Sequence, residues 1–171
     1  KNVYFQIARE GLFTIQNGEP ELVSNDPVFT KEPIVGLYGV GNDLLILTES
    51  SRFYRYDSEN VTSWETAMDD LNIKLYSSIR LNDSSFVLGS ISNGFYHLSP
   101  DGETIMRNID QEKGLNNNTV LSLFEDAENN LWLGLDNGIA IVNLYSPFNE
   151  YVDKLGNLGL VYAALNHEGH L

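Results

Sequence analysis

The chain has 171 residues, 42% of them hydrophobic and 11% aromatic, which is enough apolar material for a sizeable core and argues against disorder. Ten Lys and Arg against 24 Asp and Glu give a formal charge of −14, a sign that repels phosphate backbones and anionic lipid surfaces and disfavours direct nucleic-acid binding. Cysteine is absent, which removes disulfide and thiolate chemistry, and the longest aliphatic runs, Leu44–Leu47 and Ile139–Val142, fall far short of the ~20 residues of a membrane span.

In chain order, Lys1–Pro33 reads as the later strands of a unit whose first strand is missing. Ile34–Tyr38, a turn at Gly41-Asn42-Asp43, Leu45–Thr48 and Phe53–Tyr56 follow as strands. Over Thr62–Leu71, Trp64, Ala67, Met68 and Leu71 fall at helical spacing, so a short helix or an irregular fourth strand is expected there. The pattern returns as Leu75–Ile79, the turn residues Asn82–Ser85, Phe86–Gly89, Asn93-Gly94 and Phe95–Leu98. It returns again as Val120–Phe124, Asp126–Asn130, Leu131–Gly134, Asp136-Asn137-Gly138 and Ile139–Val142. Aligned on the end of the second strand, Gln6, Thr48, Gly89 and Gly134 take one slot at spacings of 42, 41 and 45. The units are 1–33, 34–74, 75–119, 120–159 and 160–171, about four repeat-lengths, with Val3 and Leu171 both on the slot of Leu131.

The apolar runs are short and bounded by Asp, Asn and Gly, which fits strands buried on both faces better than amphipathic helices. Asn and Asp tolerate the left-handed backbone of tight hairpins, so each unit is an antiparallel meander of three or four strands. One such sheet cannot bury both of its faces, and a period of 40 to 50 residues is that of a β-propeller blade. The fold class expected is all-β, four-stranded blades belonging to a larger ring of about seven. Cut from such a ring, the segment is expected to associate in isolation, unless Leu160–Leu171 pairs with Lys1–Pro33 to close a four-bladed ring.

Gly114-Leu115-Asn116-Asn117-Asn118-Thr119-Val120, then Asp126, Asn130-Leu131-Trp132-Leu133-Gly134 and Gly138-Ile139, resembles the two-component regulator propeller repeat. Leu135 replaces that family's usual Thr and Ile139 its usual Leu, and the other units match only in outline. The resemblance, extended by Ser146-Pro147-Phe148 and Leu160-Val161-Tyr162-Ala163, implies a periplasmic sensor region. The parent it implies is anchored in the inner membrane, with an immunoglobulin-like triple-tyrosine domain and a helix-turn-helix or histidine-kinase output. Partners would be the remaining blades and downstream domains of the same chain, and a second copy of the parent.

No pattern in the chain builds a catalytic or cofactor site. His167 and His170 lack the spacing of a zincin pair and sit where a turn is expected, and His97 stands alone on a strand. Asp126, Glu128 and Asn130 resemble half a calcium loop, but Leu131 stands where glycine is required and no glutamate closes the loop. Gly36, Gly39 and Gly41 have the wrong order for a dinucleotide loop, and Ser92 is not in a nucleophile elbow. The remaining signal is geometric. In a propeller, the loops between second and third strands and those entering each first strand share one rim. Arg9, Glu10, Glu49, Ser50, Arg52, Ser92, Asn93, Asp136 and Asn137 come from the former loops, and Asn116, Asn117 and Asn118 from the latter. Such side chains suit an oligosaccharide or other polar small ligand, although Asn, Asp and Ser are also ordinary turn formers. A sensory binding or relay module, an interaction scaffold and a propeller enzyme all remain open, since fold does not choose among them. Trp132 is expected in the core between blades, where truncation to Ala would leave a cavity.

Overall fold

The structure, a computed structural model, describes residues 3–146. Its elements form four antiparallel sheets in which every strand pairs with its sequence neighbours. The first holds β1 (Tyr4–Ile7), β2 (Gly11–Gln16) and β3 (Glu19–Ser24). A short helix, α1 (Pro27–Lys31), leads to the second: β4 (Ile34–Val40), β5 (Asp43–Thr48), β6 (Phe53–Tyr56) and β7 (Val61–Trp64). The third is β8 (Leu75–Arg80), β9 (Phe86–Ser90), β10 (Phe95–Leu98) and β11 (Ile105–Ile109), and the fourth is β12 (Val120–Glu125), β13 (Asn130–Leu135) and β14 (Gly138–Asn143). These are propeller blades, two with four strands and two with three among the described residues. The expected strand at Leu160–Leu171 and the residues His167 and His170 lie outside the described residues.

The segment of helical spacing resolves into β7 followed by consecutive turns rather than a helix. Asp69 N–H donates to Thr66 O (3.1 Å) and Leu71 N–H to Met68 O (3.0 Å), and this coiling drops Met68 into the core. Helix α1 opens with Pro27, and Asp26 caps it by accepting from Val28 N–H (2.9 Å). It delivers Phe29 edge-on to Tyr56.

Alternation along each strand sends successive side chains to opposite neighbours. From the second blade, Leu45, Leu47 and Phe53 pack forward onto Phe86, Leu88 and Tyr96 of the third. From the third, Val87 and Phe95 pack forward onto Leu131, Leu133 and Leu135 of the fourth. Leu12 of the first meets Ile46 and Tyr56 of the second. Both faces of an interior blade are therefore apolar, which is why its strands read as continuous apolar runs.

The register corrects the alignment of the second blade by one residue. Thr48 N–H donates to Arg52 O (3.0 Å) just as Ser90 N–H donates to Gly94 O (2.9 Å), so Thr48 matches Ser90, and Leu47 holds the slot of Gly89 and Gly134. A bulge on the first strand of the second, third and fourth blades sets one cross-strand pair beside this slot. The pairs are Gly36 with Leu47, Ser77 with Gly89, and Ser122 with Gly134. One member is glycine each time, on the first strand in the second blade and on the second strand in the third and fourth. A Cβ on Gly89 would collide with Ser77 Oγ and stand 2.8 Å from Val120 Cγ1.

Trp132 is a second correction: it is 38% exposed, not core. It occupies the position of Leu45 and Val87, which are buried against the following blade, but on β13 that side faces outward. Phe53 and Phe95 are likewise buried, whereas their counterpart Ile139 is 68% exposed. Trp132 Nε1–H donates to Asp126 Oδ2 (2.8 Å), so the indole braces its own hairpin, and among the described residues no blade covers it.

Gly89→Ala should destabilise the chain by about 1–3 kcal/mol through overpacking. Adding Ser77→Gly, which moves the glycine to the other strand as in the second blade, should recover part of that loss. Urea unfolding of the two single variants and the double variant measures it; strict additivity would show that the close pair is not the cause.

Candidate functional site: the inter-blade rim

Loops after the second strands meet the starts of the first strands along one edge, and backbone hydrogen bonds tie them into a belt. Glu49 N–H donates to Pro33 O (2.8 Å), and Leu75 N–H of the next blade donates to Glu49 O (2.8 Å). One blade further, Ile91 N–H donates to Lys74 O (3.1 Å) and Thr119 Oγ1–H to Ile91 O (2.7 Å). Asp136 N–H then donates to Thr119 O (3.3 Å). At the first junction a side chain substitutes: the Gln6 amide donates to Phe29 O and Glu32 O (both 2.7 Å) and accepts from Ile34 N–H (3.0 Å).

Of the residues that the sequence assigns to this rim, several have structural duties. Asn117 Oδ1 accepts from Thr119 N–H (2.8 Å) and Asn118 Oδ1 from Gln111 N–H (2.7 Å), so their amides shape the turn. Glu49 pairs with Lys74 (3.1 Å) and Arg52 with Asp69 (3.1 Å), both near the surface where such pairs contribute little. Ser50 Oγ–H donates to a Glu32 carboxylate oxygen. Arg9 sits in the left-handed region (φ 68°) beside Glu10. Ser92, Asn93, Asn116, Asp136 and Asn137 project from the belt with exposed side chains, Ser92 donating to Asn93 Oδ1 (2.9 Å). Among the described residues no group of three or more His, Asp or Glu side chains is placed to hold a metal ion.

A polar cluster at the opposite edge escapes any reading of spacing. In the turn before β9, Ser85 Oγ lies 2.6 Å from Asp83 Oδ1 and 2.9 Å from His97 Nε2, and Tyr145, from the fourth blade, donates to Asp83 Oδ2 (2.7 Å). Asn82 N–H donates to Glu125 Oε2 (2.8 Å), so the fourth blade clamps this turn twice. An ionised Asp83 only accepts, so Ser85 gives it the hydroxyl proton, and His97 must donate through Nε2–H. His97 Nδ1 is then the bare nitrogen, buried and without a partner. Burial lowers the His97 pKa; Asp83 opposes that shift and Arg107 adds to it. Burial would raise the pKa of Asp83, yet the hydrogen bonds from Ser85 and Tyr145 together hold it below the usual value. Tyr145 is pushed up to about 12 by burial and by the Asp83 carboxylate. Asn82-Asp83-Ser84-Ser85 gives a turn signal in the sequence, but nothing local links it to His97 or Tyr145.

Residues 114–137 match the family described as two component regulator propeller. Over these residues the chain is similar to that family's repeat. Around this repeat the fold extends further than the match. The chain is 24% identical to the extracellular domain of BT4673 from B. thetaiotaomicron, assigned to a one component system, with a TM-score of 0.59 over 85% of this chain and 20% of that one. It is 19% identical to the extracellular domain of BT3049 from the same organism, assigned to a hybrid two component system, with a TM-score of 0.56 over 83% of this chain and 19% of that one. The computationally designed Ika4 protein is 13% identical, with a TM-score of 0.58 over 82% of this chain and 84% of the design. The chain thus spans about a fifth of the length of the two bacterial domains, and at these identities the likeness is one of fold. No curated protein sequence matches at a significant level.

The repeat's Asp and Trp have a clear task. Asp126 Oδ1 accepts from Glu128 N–H (3.0 Å) and Asn130 N–H (2.8 Å), while its other oxygen takes the Trp132 indole N–H. The Trp132 bond comes first among the causes that lower the Asp126 pKa. The half-calcium-loop pattern is a hairpin turn.

The neutral His97 site carries a pH signature. The unfolded imidazole takes up a proton near pH 6.5 while the folded one resists, so the stability tied to His97 is complete above about pH 6.5 and is lost as pH falls below it. Unfolding midpoints of wild type and His97→Gln across pH 5 to 7.5 should show a flatter acid limb for the variant; parallel curves would reject the linkage.

Proposed function

We propose that this chain is a segment of an extracytoplasmic sensor propeller in a bacterial membrane-linked transcriptional regulator or two-component sensor. In this reading it is a non-catalytic binding and relay module. The observation that carries it is the repeat at residues 114–137, whose family description names two component regulators. The belt adds support, because it aligns exposed polar side chains of the third and fourth blades on one edge. That edge suits a hydroxyl-rich ligand such as an oligosaccharide, held by amide and carboxylate hydrogen bonds from Asn93, Asn116, Asp136 and Asn137. The outward side of the fourth blade, with Phe124, Trp132, Ile139 and Ile141 exposed, fits a further blade of the parent, because the counterparts of Trp132 (Leu45, Val87) and of Ile139 (Phe53, Phe95) are buried against the following blade.

A carbohydrate panel screened by thermal shift on the intact propeller tests the reading. A sugar that binds only the native state at about 100 times its Kd should stabilise it by about 2.7 kcal/mol. Asp136→Ala with Asn137→Ala should abolish the shift while moving the unliganded midpoint little, since both side chains are exposed. A shift that survives these substitutions would move the site off this rim. A panel without any response, alongside saturable binding of a protein partner, would favour an interaction scaffold.

The isolated chain should also self-associate as its concentration rises, by light scattering, and Ile139→Lys with Ile141→Lys should reduce that association. A monomer at all concentrations would mean that the outward face needs no cover.

A further inference from the structure

The second and third blades enclose a pocket of about 190 Å³ at the edge opposite the rim. Its wall is apolar, from Leu44, Leu45, Trp64, Phe86 and Pro100, and it carries three charged side chains, Asp43, Arg55 and Arg80. Two of these cancel. Arg55 donates to Asp43 Oδ2 through Nε (2.6 Å) and approaches the same oxygen with Nη2 (2.5 Å). Arg80 has no carboxylate partner among the described residues. Its guanidinium carbon stands 5.7 Å from the centre of the Phe86 ring, and Nη1 donates only a long bond to Gly39 O (3.3 Å). Nε is buried without any acceptor. A guanidinium carries five N–H donors and this one makes a single long bond, so beside the pocket it has donors to offer an acceptor.

We propose that this pocket binds a small carboxylic acid with a flat or apolar body. A carboxylate matches the guanidinium edge in a planar two-bond geometry that neither a neutral ligand nor a point anion reproduces. The Trp64 and Phe86 rings, 6.0 Å apart and steeply inclined, offer a face and an edge to an apolar body. Size selects a single ring or a short branched chain, since an apolar cavity of about 150 Å³ accepts benzene. Polyanions are disfavoured by Asp43 at the same mouth and by the overall charge of −14. The inference is independent of the sensor reading and of the rim.

Benzoate is the probe. Titrated into the full chain, it should move the Trp64 indole N–H resonance saturably and leave that of Trp132 in place, the two signals being assigned with Trp132→Phe. Benzamide has the same shape without the charge and should bind at least about tenfold more weakly, roughly 1.4 kcal/mol. Arg80→Gln should weaken benzoate by a similar factor or more, and Arg80→Lys, which keeps the charge but loses the fork, should fall between. Circular dichroism confirms that each variant folds, and the benzamide comparison on the wild-type chain stands should a variant fail to. An unmoved Trp64 signal, equal binding of benzamide, equal binding of inorganic phosphate, or a folded Arg80→Gln that binds benzoate as wild type would each overturn the proposal.

Discussion

Packing of blade against blade is the interaction on which the rest of this structure depends. Each sheet is only four strands wide at most, and a meander of that size with two apolar faces has no stable existence in water by itself. The three apolar clusters lie between blades: one joins the first and second, one the second and third, one the third and fourth. Stability is therefore distributed over interfaces between neighbours, as in other repeat architectures, and a blade's worth is set by what stands beside it. Aromatic edge-to-face contacts concentrate at the middle interface, where Tyr38, Phe53 and Trp64 all meet Phe86.

Polar contacts then fix how neighbouring blades meet. At the rim they are mostly backbone bonds, insensitive to side-chain identity, which lets the loops vary freely while their spacing is maintained. Deeper in, hydroxyls on the first strands cross the interface: Tyr38 donates to Ser78 Oγ (2.6 Å), which donates to Val35 O (2.7 Å), and Ser77 donates to Val120 O (2.9 Å). Burial pushes the Tyr38 pKa up to about 12, against the opposing effect of Ser78, so this link stays protonated throughout the physiological range.

Much of the fold was legible in the sequence because strand alternation, turn residues and a period near 40 are all local or repetitive signals. The strands of the fourth blade lie within a residue or two of where the pattern puts them. What failed were matters of register and exposure. Thr48 looked like the slot residue because it ends an apolar run, but the hydrogen bond from its N–H to Arg52 belongs to the following position. Trp132 was expected between blades because it lies on a central strand, whereas its face of the sheet is decided by parity and its exposure by which neighbour is present. At the rim, spacing located the loops, but only coordinates distinguish Asn117 and Asn118, whose amides are committed to the turn, from Asn116 and Asn137, whose side chains project. The pockets and clusters formed by residues far apart in the chain, such as Arg80 with Trp64 or His97 with Tyr145, leave no linear trace.

The bulge pairs of the second, third and fourth blades bear on how such repeats are recognised at all. Each pair holds one glycine, on the first strand at Gly36 and on the second at Gly89 and Gly134, and what crowds it differs: the paired Ser77 and Ser122 at Gly89 and Gly134, but Tyr38 and Ser78 at Gly36. The match at residues 114–137 takes in Gly134, whereas the third blade, with Gly89 in the same slot, and the second, with Leu47 there, both lie outside it, so the glycine of this slot does not by itself mark a blade.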